Sequence, residues 1–267
     1  MNKTEPKYRR PLNTEQIQIL ELLYKFRFVS ATLLKMYYAK SNPGMNVFRR
    51  LETLEQQGLI MKRYFDNYRL LHKPVAYHLT PQGVRRLQVG KPILNARVNV
   101  IYKDKTVSEQ FIQDCFDVFN IFLELRSHND DLKFFSKTDL RHADYEYFPQ
   151  PLPDAYVRLG NDKQYFLHVH YGHQPFFVLT RAIKKYTDYF ENGVWDDTGT
   201  EFPIILFVID NANIQKRLHK FMSGMEDLEG YTALKSNILN GYEKVWHSPD
   251  DPDKTYSLKE LKKPDAI

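Results

Sequence analysis

The chain has 267 residues, of which 42% are hydrophobic and 27% are charged, so it is a globular protein long enough for two modest domains. Glycine is scarce, at 11 residues, and neither a GxGxxG nor a GxxxxGK[ST] motif occurs, which argues against dinucleotide-binding and P-loop folds. The single cysteine, Cys115, excludes an intramolecular disulfide and a cysteine zinc site. Because no signal peptide and no apolar run of membrane-spanning length stand out, we expect a cytoplasmic protein without membrane contact.

The net charge of +5 is unevenly distributed along the chain. Residues 1–100 contain 18 Lys and Arg against 6 Asp and Glu, whereas residues 101–267 contain 20 against 27. This division indicates two domains and an anionic partner for the first, with nucleic acid as the obvious candidate. A solvated basic face with no partner is the alternative.

The first part of the chain has helical apolar spacing that gives way to a period of two. A third helix, in MNVFRRLETLEQQGLI, should end at Gly58 in the left-handed conformation. The other helices are predicted at residues 14–26, 30–39 and 80–87, and two strands at residues 59–65 and 76–80. Three helices, a hairpin and a helix predict a winged helix-turn-helix domain over residues 10–90.

The segment FRRLETLEQQGLI resembles the end of the recognition helix in winged-helix proteins. Its matching residues are Arg49, Leu51, Leu54, Gly58, Leu59 and Ile60. The resemblance implies that the third helix enters the major groove and that the hairpin contacts the DNA backbone or minor groove.

Double-stranded DNA is therefore the expected partner of this domain. Asn and Arg side chains can read base edges, while Lys and Arg pair with phosphates. The outward helix face should carry Asn42, Met45, Asn46, Arg49, Arg50 and Thr53, and the wing Lys62, Arg63, Tyr64, Arg69, His72 and Lys73. For each residue alone, a solvated side chain is the competing interpretation, and winged helices also mediate protein contacts.

The second part begins after a connector predicted at residues 91–106. Residues 107–126 form a predicted amphipathic helix whose apolar stripe needs a partner surface: this chain, a second copy in a homodimer, or a replication or mobilisation protein. Further strands are predicted at residues 131–136, 154–159, 164–171, 202–210 and 231–239, and helices at residues 175–191 and 213–225. We expect a three-layer α/β domain over residues 107–248 and a loosely held tail at 249–267, which makes the whole chain a two-domain α+β protein.

This element order is also that of the restriction-endonuclease-like fold. In those nucleases a hairpin presents Asp on one strand and an acid-x-Lys pattern on the next, and the carboxylates hold Mg²⁺. Here Asp154 starts the first strand, but His168-Val169-His170 replaces the second pattern.

Much of the chain resembles the replication-relaxation family of plasmids and other mobile elements. The shared segments are Pro153-Asp154-Ala155, YFLHVHYG, IKKYTDYFENGVW and FPIILFVID. The family strand usually carries Glu-x-Asp at the places held here by His168 and His170. The resemblance implies a winged helix followed by a nuclease-like domain, and a role in the maintenance, replication or transfer of mobile-element DNA.

Three interpretations of the histidine pair stay open. Asp154 with two imidazoles is a poor Mg²⁺ site, which favours an inactive remnant that needs no cofactor. A working site would instead bind Mn²⁺ or Zn²⁺ through His168, His170 and a third ligand, Asp154 or His173, with Tyr186 or Tyr189 as nucleophile beside Lys184 and Lys185. The third interpretation is purely structural.

We expect a DNA-binding protein with an inactive nuclease-like domain that acts in plasmid or mobile-element replication, relaxation or mobilisation. The alternatives are a metal-dependent DNA nicking enzyme that uses the histidine pair, with Mn²⁺, Zn²⁺ or Mg²⁺ as cofactor, and a winged-helix transcriptional regulator.

Overall fold

The computed structural model describes residues 11–88, 103–160, 163–223 and 229–262. Contacts between Cα atoms divide the chain into two compact units, with the boundary between Phe119 and Asn120. The described residues form a three-stranded sheet in the first unit and a five-stranded sheet in the second, both accompanied by helices. The chain is thus of mixed α/β type, in agreement with the predicted α+β class. Among the described helices, none combines the length and apolar character that a bilayer span requires.

The first unit contains a helical group and a small antiparallel sheet. The sheet has the order β1-β3-β2, with Val29 opposite Tyr77 and Ile60 opposite Leu79. Its described elements are α1 (Thr14–Phe26), β1 (Val29–Ser30), α2 (Ala31–Tyr38), α3 (Val47–Gln56), β2 (Ile60–Arg63), β3 (Ala76–Leu79), α4 (Pro81–Gln88) and the first part of α5 (Glu109–His128). The predicted helices and strands are confirmed here, and only β1 is additional, since two residues are too few to show a period.

Local polar contacts set the ends of these helices. Asn13 and Gln16 form a reciprocal capping box at the start of α1, with bonds of 2.9 and 3.1 Å between side chain and backbone. Gly58, with φ of 70°, ends the segment that follows α3, as predicted. At Gly83 a Cβ atom would lie 2.1 Å from the carbonyl oxygen of Leu59, so the start of α4 can approach the chain before β2 only because residue 83 is glycine.

The second unit has a mixed sheet in the order β4-β5-β6-β7-β8. Strands β4 to β6 pair antiparallel, and β6 to β8 pair parallel. After α5 the described elements are β4 (Leu132–Ser136), β5 (Ala155–Leu159), β6 (Lys163–His170), α6 (Phe176–Glu191), β7 (Ile204–Ile209), α7 (Ala212–Met222), β8 (Gly230–Leu234) and α8 (Lys235–Leu239). The strand predicted over residues 231–239 is wrong in its second half, because the Lys-Ser-Asn run after Leu234 has no alternation to keep it extended.

Helices pack on both faces of this sheet. On one face, an apolar cluster joins the sheet to α6 and α7 and includes Phe166, Leu179, Ile183, Tyr186, Trp195, Phe207, Leu218 and Met222. On the other face, Phe122 of α5 packs on Phe134 of β4 with ring centroids 5.1 Å apart. The functional residues predicted on β6 are therefore placed within a buried sheet.

The domain limits differ in part from those expected. The boundary at Phe119 falls inside α5, whereas the second domain was predicted to begin at residue 107. The predicted connector, residues 91–106, lies mostly outside the described residues, as does the end of the predicted tail.

The described part of that tail is packed rather than loose. A C-terminal segment, residues 245–262, forms bridges from His247 to Thr232 of β8 and from Trp246 to Tyr256. Leu258 and Leu261 are buried, and Tyr165 Oη donates a hydrogen bond to the Leu258 carbonyl oxygen at 2.9 Å. Its apolar residues explain the difference, since they bury against the sheet despite the surrounding Pro, Asp and Lys.

Candidate functional site

Helix α3 presents a polar face to solvent because its apolar residues face the core. The Asn46 Oδ1 atom accepts a hydrogen bond from the Arg49 backbone N–H at 3.0 Å and caps the helix. Val47, Leu51 and Leu54 are buried on the opposite side. Asn46, a predicted base-reading residue, thus has its carbonyl oxygen committed to the cap, while its amide N–H groups stay available.

The charged groups of this face are only weakly paired. Arg49 is exposed and has no ion-pair partner in the described part of the chain, and Arg50 Nη2 lies 3.9 Å from Glu15 Oε2. Glu52 is also exposed, and Phe48 is 56% exposed beneath the ammonium group of Lys35. A face with guanidinium donors and a carboxylate acceptor suits base edges, because Arg pairs with guanine and Glu accepts from cytosine.

Three of the predicted wing cations have partners within the first unit. Lys62 Nζ lies 2.6 Å from Glu55 Oε2, and this hydrogen bond raises the pKa of the lysine. Arg63 donates to the backbone carbonyl oxygens of Lys105 and Val107. These two contacts fasten the β2–β3 hairpin to neighbouring backbone and to α3.

The third cation, Lys73, pairs with Glu109 at the start of α5. The distance from Lys73 Nζ to Glu109 Oε2 is 3.2 Å, and the other carboxylate oxygen accepts a hydrogen bond from the Asp66 backbone N–H. The Asp66 N–H is the main cause of the lowered pKa of Glu109, and Lys73 adds to it. Both ends of the long β2–β3 loop are held by this one carboxylate.

Arg69 differs from those three cations, since it lies at the exposed tip of the loop. Its Nε atom donates to Tyr68 Oη at 2.9 Å, and its guanidinium carbon lies 5.6 Å from the Tyr68 ring centroid. The Tyr64 and Tyr68 rings are 4.7 Å apart. The tip therefore presents a guanidinium supported by an aromatic pair, without a carboxylate partner among the described residues.

Two exposed features of the first unit were missed by the sequence analysis. Leu70 and Leu71 are 79% and 57% exposed at the loop tip. Arg85 and Arg86 are exposed on α4. The two adjacent arginines just after the wing are visible in the sequence and could have indicated a basic surface there.

In the second unit, Asp154 lies just before β5 and uses both carboxylate oxygens. Oδ2 accepts a hydrogen bond from the Val169 backbone N–H at 2.9 Å, and Oδ1 lies 3.4 Å from Lys137 Nζ. Lys137 follows β4, and no sequence pattern links it to Asp154, because 17 residues separate the two. The pair places a cation beside the carboxylate that was predicted as a metal ligand.

His168 neighbours this pair on β6. It lies opposite Phe207 in the parallel register, and its ring is 6.4 Å from that of Tyr186 and 5.9 Å from that of Phe207. Burial lowers the pKa of His168, and the negative charge of Asp154 opposes that shift only in part. The imidazole is therefore neutral near pH 7.

His170 lies two residues further along β6, in a different environment. Its side chain is fully buried, and neither ring nitrogen has a hydrogen-bond partner in the described structure. Burial lowers the pKa of His170, and the nearby Asp210 and Gln174 side chains oppose this shift. Neither of them forms a hydrogen bond of acceptable geometry with a ring nitrogen of His170. Asp210 is itself engaged by Lys235 at 2.5 Å and by the Gly172 backbone N–H.

The two histidines thus do not combine with Asp154 into a metal-binding set. Within the described ranges no group of three or more His, Cys, Asp and Glu side chains is arranged to hold a metal ion. The Asp154 oxygens are taken by Lys137 and Val169, and His173, the other predicted ligand, is exposed and stacks on Tyr171 at 5.8 Å. Each of these predicted metal ions, Mg²⁺, Mn²⁺ and Zn²⁺, needs several converging ligands, and the side chains described around Asp154 do not converge in this way.

Tyr186, the predicted nucleophile, is packed in the interior of the second unit. It is 3% exposed, stacks on Phe166 at 5.9 Å, and its hydroxyl has no hydrogen-bond partner in the described structure. Burial, reinforced by the charge of Asp154, raises its pKa, so the phenolate nucleophile is disfavoured. Tyr189 donates to the Tyr147 carbonyl oxygen, and burial raises its pKa to about 12.

Residues 20–205 match the family described as replication-relaxation. The chain belongs to the replication-relaxation family. The match covers more than half of the chain, includes the β6 and α6 segments, and confirms the resemblance to the family. Neither the curated proteins nor the solved structures provide a match.

Family membership associates this replication-relaxation protein with plasmid or mobile-element replication or relaxation. The matched region includes α3, the β2–β3 hairpin, Asp154 and both histidines of β6. Most of β7, helix α7, strand β8 and the C-terminal segment lie beyond residue 205, outside the matched region.

Proposed function

We propose that this replication-relaxation protein binds duplex DNA through its first unit, as a winged helix-turn-helix domain, at a site that serves replication or mobilisation of the element. The observation that carries the proposal is the exposure of Arg49 on α3 and Arg69 at the loop tip, neither of which has a carboxylate partner in the described structure. Both cations belong to the basic part of the chain, and neutralised phosphates drive such binding.

The order of elements supports this assignment. Helices α1, α2 and α3 precede the β2–β3 hairpin, and β1 adds a short third strand next to β3. In a winged helix, α3 would enter the major groove while the hairpin loop contacts the adjacent backbone or minor groove. Lys62, Arg63 and Lys73 then position the hairpin through their partners, and Arg49 and Arg69 contact the DNA.

We further propose that the second unit is a nuclease-like domain without nuclease activity. The engaged oxygens of Asp154 and the neutral, separately placed histidines support this part of the proposal. In this view Lys137 neutralises the carboxylate that a nuclease would use for its metal ion.

Fluorescence anisotropy with a labelled duplex tests the first proposal. Arg49→Ala/Arg69→Ala should weaken binding and reduce the slope of log K against log salt by about 1.8, since each lost phosphate contact changes it by about 0.9. If one of the two arginines reads bases instead, the slope changes by about half as much. Arg85→Ala/Arg86→Ala removes two guanidinium groups from exposed positions on α4 and is the matched control. Equal slopes for the two variants would refute the assignment of Arg49 and Arg69.

Incubation of supercoiled and single-stranded DNA from the mobile element with Mn²⁺ tests the second proposal. Binding without nicking is expected for the wild-type protein. A nick that is lost in His168→Ala would overturn the proposal of inactivity, and a covalent protein–DNA adduct that is lost in Tyr186→Phe would establish a nicking enzyme.

A further inference from the structure

The second unit has a basic surface, although acidic residues outnumber basic residues in this part of the chain. Helices α6 and α7 pack side by side on the same face of the sheet, as Arg217 of α7 lies 4.2 Å from the ring centroid of Phe176 of α6. Their outward residues include six exposed cations, which we call the α6–α7 basic face: Arg181, Lys184, Lys185, Lys216, Arg217 and Lys220.

The spacing of these cations follows from the helix period. On α7, Leu218 and Met222 are buried against the sheet. Lys216, Arg217 and Lys220 are exposed, and their spacing of three to four residues places them together on the outward side of the helix. The α7 sequence ANIQKRLHKFM contains no acidic residue. On α6, Leu179 and Ile183 turn inward and leave the cations outside, with Asp188 and Glu191 confined to the C-terminal end of the helix.

None of the six cations forms an ion pair within the described residues, although the unit is rich in acids. Elsewhere in the same unit Lys137, Lys235 and Lys244 each have a carboxylate within 3.4 Å. A segregated, unpaired set of cations raises the local positive potential, and that potential attracts polyanions.

We propose that the α6–α7 basic face is a second nucleic-acid contact surface, which binds the phosphate backbone of duplex DNA without reading its sequence. The choice of duplex DNA rests on the function proposed above, whereas the surface itself belongs to the second unit. The surface is dominated by lysine, which binds phosphate as a point charge and is suited to backbone contact rather than to base recognition.

The test compares full-length variants by anisotropy with an unrelated duplex sequence at several salt concentrations. Lys184→Ala/Lys185→Ala/Lys216→Ala/Lys220→Ala should reduce the salt slope by up to about 3.6, at about 0.9 per phosphate contact. Arg217 is left intact because of its contact with Phe176. Replacement of the same four lysines by arginine should restore the slope.

Lys133→Ala/Lys254→Ala/Lys259→Ala/Lys262→Ala removes the same charge from exposed positions elsewhere in the unit and is the matched control. A loss of slope equal to that of the control would overturn the inference, because net charge alone would then explain it. Binding of phosphatidylserine vesicles that depends on the four lysines, with DNA binding unaffected, would also overturn it.

The outcome is separable from that of the first unit. If only the Arg49/Arg69 variant changes the slope, the basic face has no role in DNA binding and the function proposed for the first unit stands. If only the four-lysine variant changes it, the second unit is the DNA-binding part and the proposal for α3 and the hairpin fails.

Discussion

Replacement of His170 by leucine should stabilise the second unit. The imidazole is fully buried on β6 and neither nitrogen has a hydrogen-bond partner. A buried polar group without a partner costs about 1–3 kcal/mol, whereas a swap that conserves volume costs less than about 1.5 kcal/mol. We therefore expect His170→Leu to raise the free energy of unfolding by about 1 kcal/mol at pH 8.

The gain should grow as the pH falls. Because burial lowers the pKa of His170 in the folded state, the unfolded chain takes up a proton below about pH 6.5 that the folded chain does not. The wild-type protein then loses up to about 1.4 kcal/mol per pH unit from this residue until its folded pKa is reached. Above about pH 7.5 both states are mostly neutral and the contribution is constant. His170→Leu lacks this loss, and His168 is unchanged in both proteins.

Urea denaturation followed by tryptophan fluorescence isolates the relevant unit. The chain has two tryptophans, and both Trp195 and Trp246 are buried in the second unit. His219→Leu is the control at pH 8, because His219 Nε2 lies 2.5 Å from the buried Thr232 hydroxyl, and its removal should lower stability by about 1 kcal/mol. Equal destabilisation by the two substitutions, or an unchanged pH dependence for His170→Leu, would refute the reasoning.

Three further predictions concern single positions. Gly83→Ala should destabilise the first unit by about 1–3 kcal/mol in thermal circular dichroism, because its Cβ would meet the Leu59 carbonyl oxygen at 2.1 Å, while Gly44→Ala, with nothing within 4 Å, should change little. Cys115 is partly exposed, but the desolvating groups around its thiol raise its pKa to about 12, so iodoacetamide should label it slowly at pH 8 until the protein unfolds; rapid labelling of the native protein would contradict this. The hydrogen bond from Lys244 is the main cause that lowers the pKa of Glu260 to about 2. The Glu260 carboxylate therefore stabilises the C-terminal segment fully above pH 4.3, its usual pKa being about 4.3, and this effect is lost as the pH falls towards 2. The protection factors for amide exchange in that segment should therefore fall below pH 4 in the wild type, and Glu260→Gln should have lower protection factors already at pH 6, with little further decrease on acidification.

Periodicity was sufficient to predict most helices and strands. The first unit follows its apolar spacing closely, and β7 was recognisable as a continuous apolar run buried on both sides. The two-residue strand β1 and the helix α8 were beyond that method, because neither is long enough to show a repeat. The packing of Leu258 and Leu261 was hidden by the polar residues around them.

The candidate sites were harder to predict than the fold. The sequence identified Asp154 and the histidines as neighbours on a hairpin, but it could not show that Lys137 lies beside the carboxylate or that His170 faces Asp210 instead. Likewise, it treated all basic wing residues alike, although Lys62 and Lys73 are paired. Such differences depend on tertiary neighbours far apart in the chain, and a single sequence has no pattern for them.

The bridge between His247 and Thr232 has a consequence for solubility. Strand β8 is the last strand of its sheet, so its outer N–H and C=O groups would otherwise be open to strands of other molecules, and such unprotected edges promote aggregation. The His247 backbone pairs with that edge at Thr232, where it donates one hydrogen bond and accepts another. A chain shortened before Val245 should therefore self-associate through β8 even where its core stays folded.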